Sequence, residues 1–412
     1  MIKRLIILVA VFVMMVSLPG CSSEGKKSES PSSSTVSEPK TTSAPHKDMT
    51  FEISDRTVRT LGRTLKVGEG NRTFYDWTCS GFEFTFTGTA VRAELGTLAA
   101  YAMQEKNRPH VVVYVDENVV PSADFLITQE TGEYILAENL TDGTHTMRVL
   151  KASANVYSGP FYAKSVTVTG SNPSIVPTEP RARRIEFIGD SITCGYGTKA
   201  SAPSGNYLSS EEDGSIAYAY LTAQALQADA NIISVSGNGV YCDLNGRQMR
   251  LMPEYYQYTD LRLENDLGIQ KKTPWDFNSF HADVVVVHLG TNDSNAVNNV
   301  SKPIGDSYPD YQTRISGFKK AYVDFLAVIR KNNPKAKIVC ILGGMPCNLY
   351  SEMQKAVMEY KEKNGDSDVY AYEFVTSMYS VTDGIRAGHP SAQVHRMMQQ
   401  ELTEQIRKIT GW

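Results

Sequence analysis

Arg184-Ile185-Glu186-Phe187-Ile188-Gly189-Asp190-Ser191-Ile192-Thr193 is the stretch that decides how this chain is read. The apolar run over 185–188 stops at Gly-Asp-Ser, and residues 192–196 can start a helix. A serine between a strand end and a helix start exposes its Oγ at the carboxyl edge of a sheet. Its own N–H then lies at a positive helix terminus, facing any negative charge that develops. The same residues also fit a plain turn, in which Asp190 or Ser191 only caps the helix. The surrounding sequence has to separate the two readings.

Downstream, strand patterns alternate with helical ones. Strands are predicted over 185–188, 231–235, 283–288, 337–342 and 369–374, and helices over 216–226, 311–331 and 391–409. The run Asp283-Val284-Val285-Val286-Val287-His288 is almost continuously apolar, as expected of a parallel strand covered on both faces. The order implies a three-layer α/β sandwich. In such sheets ligand sites form where strands end at the carboxyl edge. Three of these ends carry polar loops: Gly-Asp-Ser at 189–191, Ser-Gly-Asn-Gly at 236–239 and Gly-Thr-Asn-Asp at 290–293. Asn292 could offer a side-chain N–H to an oxyanion, and Gly237 an unobstructed backbone N–H. With the N–H of Ser191 they make three donors, each worth about 3–4 kcal/mol to a tetrahedral intermediate. Taken singly, each loop reads equally as a polar turn. A base is also required. Of the 7 histidines, His389 in Gly388-His389-Pro390-Ser391 lies in a loop just before the closing helix, able to fold over the same edge. His281, His288 and His395 lie in or beside regular elements and read as packing or surface residues.

Upstream, residues 49–172 follow period two. Phe82, Phe84 and Phe86 alternate with Glu83 and Thr85; Val111 to Val115 is a β-branched run. Residues 134–137 and 145–150 flank Asp142-Gly143, a hairpin signal. Short strands without a long helical pattern imply an antiparallel, jelly-roll-like β-sandwich. It serves either as a packing module or as a sugar-binding one, with Trp77 and tyrosines available for stacking. Pro173, Pro177 and Pro180 mark an extended connector over 173–183, and the α/β domain takes 184–412.

The first residues read differently. Lys3 and Arg4 precede an apolar run over 5–16 that is too short for a membrane span of about 20 residues but suits a leader. Its ending, Leu18-Pro19-Gly20-Cys21, resembles a bacterial lipoprotein signal. That resemblance implies cleavage after residue 20 and a lipid on Cys21; an ordinary leader that contains a cysteine is the alternative. Residues 21–48 are mostly Ser, Thr, Pro, Glu and Lys, and read as a disordered tether. Beyond Cys21 come Cys79, Cys194, Cys242, Cys340 and Cys347, with no Cys-x-x-Cys spacing for zinc or redox chemistry. Bridges Cys194–Cys242 or Cys340–Cys347 and buried free thiols all stay open. The 412 residues are 41% hydrophobic and 21% charged with a formal net charge of −4, and Lys and Arg are scattered, so nucleic acid is not an expected partner.

Gly189-Asp190-Ser191, Gly237, Asn292 within Gly-Thr-Asn-Asp, and His389-Pro390 together resemble, block by block, the GDSL (SGNH) hydrolase superfamily. The β-domain in front resembles carbohydrate esterase family 2, the sugar O-deacetylases called acetyl xylan esterases. Residues 140–146, Met252-Pro253-Glu254-Tyr255-Tyr256 and Trp275-Asp276-Phe277 add to that likeness. The resemblance implies a flavodoxin-like parallel sheet, Ser191 as nucleophile, His389 as base, and Ser191, Gly237 and Asn292 as the oxyanion hole. It implies acetylated polysaccharide or oligosaccharide as substrate, no metal and no cofactor. With the leader, it places the enzyme on the outer face of a bacterial membrane, tethered only by lipid at Cys21. Two departures stand out. The superfamily usually has an Asp three residues before the histidine; here that position is Arg386. Either Asp383 reaches the imidazole or a backbone carbonyl orients it, and Asp383 also reads as a plain Asp-Gly turn. Many relatives carry an aromatic residue just before the histidine; here it is Gly388, so the sugar pocket would be lined from elsewhere, for instance by Tyr241 or Trp275. A glycan-binding lipoprotein with a decayed hydrolase domain, or a lipase or thioesterase of the same superfamily, are the competing readings.

Overall fold

The alternation of Phe82, Phe84 and Phe86 puts three rings on one face of a strand. In the computed structural model, which describes residues 45–68 and 72–412, all three are buried. Cys21, the leader and the tether up to residue 44 lie outside the described residues. The first domain uses strands β1 (Lys47–Glu52), β2 (Arg59–Leu61), β3 (Thr64–Val67), β4 (Arg72–Tyr75), β5 (Gly81–Gly88), β6 (Ala90–Thr97), β7 (His110–Val115), β8 (Ala123–Leu126), β9 (Gly132–Ala137), β10 (Gly143–Lys151), β11 (Phe161–Gly170) and β12 (Ser174–Pro177). One sheet runs β3-β4-β11-β6-β9 with β1 beside β11, and the other β12-β5-β10-β7-β8 with β2 beside β5. All pairings are antiparallel.

Two sequence expectations change here. Asp142-Gly143 does not close a hairpin: β9 pairs with β6 in one sheet and β10 with β5 and β7 in the other. Leu136 of β9 and Met147 and Val149 of β10 enter the same core from opposite sheets, so burial overrides the local turn signal. The proline-rich connector is also partly sheet. β12 pairs with β5, and Ile175 is buried.

The second domain is a parallel sheet of β13 (Arg183–Gly189), β14 (Ala228–Ser234), β15 (Val284–His288), β16 (Lys337–Gly344) and β17 (Val369–Ser377), in the order β14-β13-β15-β16-β17. Helices Tyr311–Asn332 and Tyr350–Asn364 cover one face, and Tyr218–Ala225 and Ala392–Thr410 the other. Helix Tyr350–Asn364 adds to those expected; Met353, Ala356, Val357 and Tyr360 form its buried stripe. Gly189 is in register with Ser234 and with His288, so the loops after β13, β14 and β15 start at one level. The strand order reverses at β13, which makes this edge the topological switch point.

All five cysteines from Cys79 onward are free. Cys194 turns inward, its thiol donating to Ser234 Oγ at 3.2 Å, and Cys347 donates to the Gly290 carbonyl at 3.6 Å, so neither proposed bridge forms. Among the described residues no helix is long and apolar enough to cross a membrane.

The domains interlock through buried polar groups. Arg63, fully buried between β2 and β3, donates to Glu186 on β13 at 3.2 Å and to the carbonyls of Tyr256 and Tyr258 at 2.7 and 2.9 Å. Its guanidinium sits 4.6 Å from the Trp275 ring and 5.2 Å from that of Tyr256. Asn231 and the Tyr256 hydroxyl donate to the same Glu186 carboxylate. Trp77 is 1% exposed and donates its indole N–H to the Thr259 carbonyl, so it is an interdomain anchor and not a sugar platform. Removing one partner of a buried pair leaves an uncompensated charge. Arg63→Ala is expected to lower unfolding free energy in urea by about 3–5 kcal/mol. Arg63→Met combined with Glu186→Gln should recover most of that loss.

Candidate active site

Gly189 ends β13, and the chain turns at once into the short helix Ser191–Cys194. Asp190 caps it, its carboxylate accepting the Ile192 N–H at 3.0 Å. A side chain on Gly189 would run into Thr193, which explains the glycine at this sharp corner. Ser191 is 7% exposed. Its N–H is the first of the helix, and it finds no acceptor among the described residues. The same holds for the N–H of Gly237, held at φ +79° in the loop after β14. A cluster of this kind can receive an oxyanion.

His389 arrives from the far end of the chain. Strands β18 (Ile385–Arg386) and β19 (His389–Pro390) form a minimal hairpin whose two central residues, Ala387 and Gly388, have φ of +45° and +78°. Positive φ at both is the pattern of a type I′ turn, and it favours the glycine at position 388. The turn brings the Ala387 carbonyl to His389 Nδ1 at 3.2 Å. Nδ1–H donates there, which leaves the Nε2 lone pair for Ser191 Oγ, 2.8 Å away. Burial pushes the imidazole pKa down, against the Ala387 carbonyl, which favours the charged form. The ring is therefore ready as a neutral base.

Asp383 does not reach the imidazole. Its side chain is 74% exposed and lies 3.7 Å from Arg386, at a backbone φ of +59°. A carbonyl two residues before the histidine occupies the orienting position, so the arrangement is a dyad.

Asn292 follows β15 at the start of helix Thr291–Val297 and is 8% exposed. Its Nδ2 donates to Asp190 Oδ2 at 3.1 Å and to the Asn238 carbonyl at 2.9 Å. The amide nitrogen is thus aimed into the loop cluster, with both hydrogens engaged in the resting site. Next to it, Asp293 is fully buried and accepts the backbone N–H groups of Val240, Tyr241 and Cys242. That clamp fixes the turn that follows Gly237. Sequence reasoning assigned no role to Asp293; its place within Gly-Thr-Asn-Asp was the available signal. Burial raises Asp190 to about 7, with the neighbouring Asp293 charge adding to it. Burial also raises Asp293 to about 6, against the three N–H groups that favour its charge.

The two aromatic candidates fall elsewhere. The Tyr241 ring packs on Gly317 of helix Tyr311–Asn332, where a Cβ would sit 2.5 Å from it. Trp275 lies over Arg63 and lines a cavity with Arg184 and Asp229, at the amino ends of β13 and β14, on the opposite edge of the sheet. The aromatic ring beside the base is Tyr196, whose centroid is 4.4 Å from that of His389. Among the described residues no group of three or more His, Cys, Asp or Glu is placed to hold a metal ion.

Residues 187–397 match the GDSL-like lipase/acylhydrolase family, and residues 60–172 match the carbohydrate esterase 2 N-terminal domain. The cellulase/esterase CelE of Acetivibrio thermocellus is 30% identical over 341 residues, which are 82% of this chain and 38% of CelE. The chain therefore spans well under half the length of that relative. An acetylxylan esterase/glucomannan deacetylase of Cellvibrio japonicus is 26% identical over 373 residues, 88% of this chain and 92% of that protein. Among solved structures, the acetyl xylan esterase Est2A of the rumen bacterium Butyrivibrio proteoclasticus shares the fold. Its TM-score is 0.77 at 23% identity, covering 89% of this chain and 99% of that one. A family two carbohydrate esterase from Clostridium thermocellum, solved with cellohexaose, gives 0.72 at 27% identity, covering 86% and 99%.

Asp190→Asn tests the carboxylate that holds the Asn292 amide. Asn caps helices as well as Asp does, so the fold should persist. Its own amide would face that of Asn292, and kcat should fall by about 10²-fold with KM little changed. The same variant has a pH signature. A carboxyl raised to about 7 on folding contributes stability at acid pH that is lost as pH rises from about 4 through 7, because the folded state keeps the proton longer. Relative to wild type, Asp190→Asn should gain thermal stability as the buffer moves from about pH 5 to about pH 8.

Proposed function

The chain belongs to the GDSL-like lipase/acylhydrolase family, with a carbohydrate esterase 2 N-terminal domain ahead of the hydrolase, and from this premise we propose that it is a serine esterase that removes acetyl groups from polysaccharide. The observation that carries the reading is the 2.8 Å contact between Ser191 Oγ and His389 Nε2, beside two unclaimed backbone N–H groups. The names of the two curated relatives, an esterase and an acetylxylan esterase/glucomannan deacetylase, support the substrate class.

In the proposed reaction Ser191 Oγ attacks the acetyl carbonyl carbon while its proton passes to His389 Nε2. The carbonyl oxygen takes up negative charge facing the N–H groups of Ser191 and Gly237. Asn292 joins them by exchanging the Asn238 carbonyl for the oxyanion. Collapse breaks the bond to the sugar oxygen, which takes the proton from Nε2 and leaves as an alcohol. Water then attacks the acetyl-enzyme, giving its proton to Nε2, and acetate departs as that proton returns to Ser191. Through both halves the Ala387 carbonyl holds Nδ1–H in place. A carbonyl fixes the tautomer as an aspartate would, without contributing a full negative charge to the imidazolium. With an orienting acceptor present, the missing aspartate is no argument for a decayed site.

Acetate release from acetylated xylan and glucomannan checks the proposal. Ser191→Ala and His389→Ala should each lose at least about 10³-fold in kcat/KM. Asp383→Ala should match wild type; a loss comparable to that of His389→Ala would exclude the dyad, and an active Ser191→Ala protein would sink the mechanism.

We also propose that the protein is exported and lipid-anchored at Cys21 on the outer face of a bacterial membrane. This rests on Leu18-Pro19-Gly20-Cys21 and the apolar run before it. Metabolic labelling with a palmitate analogue should mark the wild type and not Cys21→Ser. Labelling that survives the substitution would reject the anchor.

A further inference from the structure

A cavity of about 390 Å³ opens at the amino edge of the parallel sheet, away from Ser191, where the two domains meet. Its walls come from β2, β3 and the turn between them, from the starts of β13 and β14, and from the loop at 275–280. That volume falls in the range of small-molecule sites. Leu61 and Phe280 supply apolar surface. Two of the lining residues carry a buried polar atom without a partner among the described residues. Asn231 is 1% exposed; its Nδ2 donates to Glu186, while its Oδ1 receives no donor. The face of Trp275 lies over Arg63, and its Nε1–H, at the ring edge, has no acceptor. The charged groups on the walls are mostly spent. Arg59 donates to Glu83 and Asp229, and Lys66 to Asp55. Arg184 is half-buried, and its guanidinium has no hydrogen-bond or ion-pair partner among the described residues.

We propose that this cavity is a second binding site, selective for a sugar acid, whose carboxylate meets Arg184 and the Trp275 N–H and whose hydroxyl donates to Asn231 Oδ1. The site stands apart from the esterase reading and does not depend on it. The unpaired groups define the ligand class. One uncommitted cation matches one negative charge, and Asp55 and Asp229 on the same walls would repel the second charge of a phosphate ester. A guanidinium holds a carboxylate through two parallel hydrogen bonds. Asn231 Oδ1 needs a donor, which an ionised carboxylate lacks and a ring hydroxyl supplies. An acceptor left unpaired in a buried wall is costly, so an acid without hydroxyls binds less well. A hexuronic acid carries both groups on one ring, with C–H surface to set against Leu61 and Phe280. The same chemistry comes either as a free sugar acid or as an acidic unit of a polysaccharide.

Calorimetric titration of the full chain with sodium glucuronate at low salt should show one site, with glucose bound at least about 10-fold more weakly. Arg184→Gln should lower glucuronate affinity at least about 10-fold, and Trp275→Phe, which keeps a ring over Arg63, about 5-fold. The thermal midpoint and p-nitrophenyl acetate turnover of Arg184→Gln should match wild type, because Ser191 and His389 lie at the other edge of the sheet. No binding at up to about 20 mM glucuronate would overturn the site. So would equal affinity in wild type and Arg184→Gln, or glucose bound as well as glucuronate. If Arg184→Gln melts lower, Trp275→Phe decides, and its unchanged affinity would reject the site. A glucuronate-substituted xylo-oligosaccharide, titrated into Ser191→Ala, separates the two sources. Binding at least about 10-fold tighter than that of the free acid, and lost on adding Arg184→Gln, assigns the site to polysaccharide. Binding no tighter than that of the free acid assigns it to the soluble sugar acid.

Discussion

A charged pair in the middle of the molecule governs how the rest is arranged. Glu186 lies within β13, an interior strand that leads to Ser191, and is 2% exposed; Arg63, which neutralises it, belongs to the other domain and is fully buried. A lone carboxylate in a parallel sheet would be costly; Asn231 and Tyr256 hydrogen-bond this one from its own domain, and its positive partner arrives with the β-domain. The surrounding residues confirm the priority of that contact. Tyr256 donates to Glu186 and Phe277 packs on Tyr256, while Trp275 covers the guanidinium. The Met-Pro-Glu-Tyr-Tyr and Trp-Asp-Phe stretches, which carry part of the likeness to carbohydrate esterases, are therefore a cage around Arg63. They join the domains through the Arg63 guanidinium and the Glu186 carboxylate.

The docking has consequences at the carboxyl edge of the sheet. With the β-domain locked, its β10–β11 connection lies against the loops that follow Ser191, where Ala154 shares Glu212 with Tyr207. Burial raises Glu212 to about 7, and neighbouring Lys151 is pushed down to about 8 for the same reason. Below the nucleophile the same pattern recurs. Asp190 and Asp293 are both fully buried, and their oxygens are spent on backbone N–H groups and on the Asn292 amide. Buried carboxylates here hold loops in position. Rigid, satisfied polar networks of this kind suit a site whose donors must be in place before charge develops.

The histidine loop uses a different device. Arg386 stands three residues before His389, and backbone geometry supplies the acceptor that no aspartate provides there. Two residues at positive φ turn the Ala387 carbonyl onto Nδ1, and one of them is an alanine, which adopts this conformation at some cost. The same turn strains any side chain at position 388, where φ is +78°, and Tyr196 is the ring beside His389.

Much of this was legible in the sequence. The alternation of strands and helices, the apolar run of β15, the three polar loops and the loop histidine are signals carried by contiguous residues, and local physics is enough to read them. What the sequence left open, or led astray, depended on partners far away along the chain. Asp383 and the Ala387 carbonyl were both candidates to orient His389, and only the φ values of the turn chose between them. Trp77, Trp275 and Tyr241 read as sugar-facing aromatics, yet each is turned into packing by residues that no local pattern names: Thr259, Arg63 and Gly317. Asp142-Gly143 read as a hairpin until burial sent its flanking strands to different sheets. The sequence by itself determined most of the strands and helices, their order and which residues are candidates for chemistry, because those signals are encoded within a few positions of each other. Tertiary structure decided which way the side chains face and which acceptor completes the base, because burial and hydrogen-bond satisfaction are settled between residues that meet only in the folded chain.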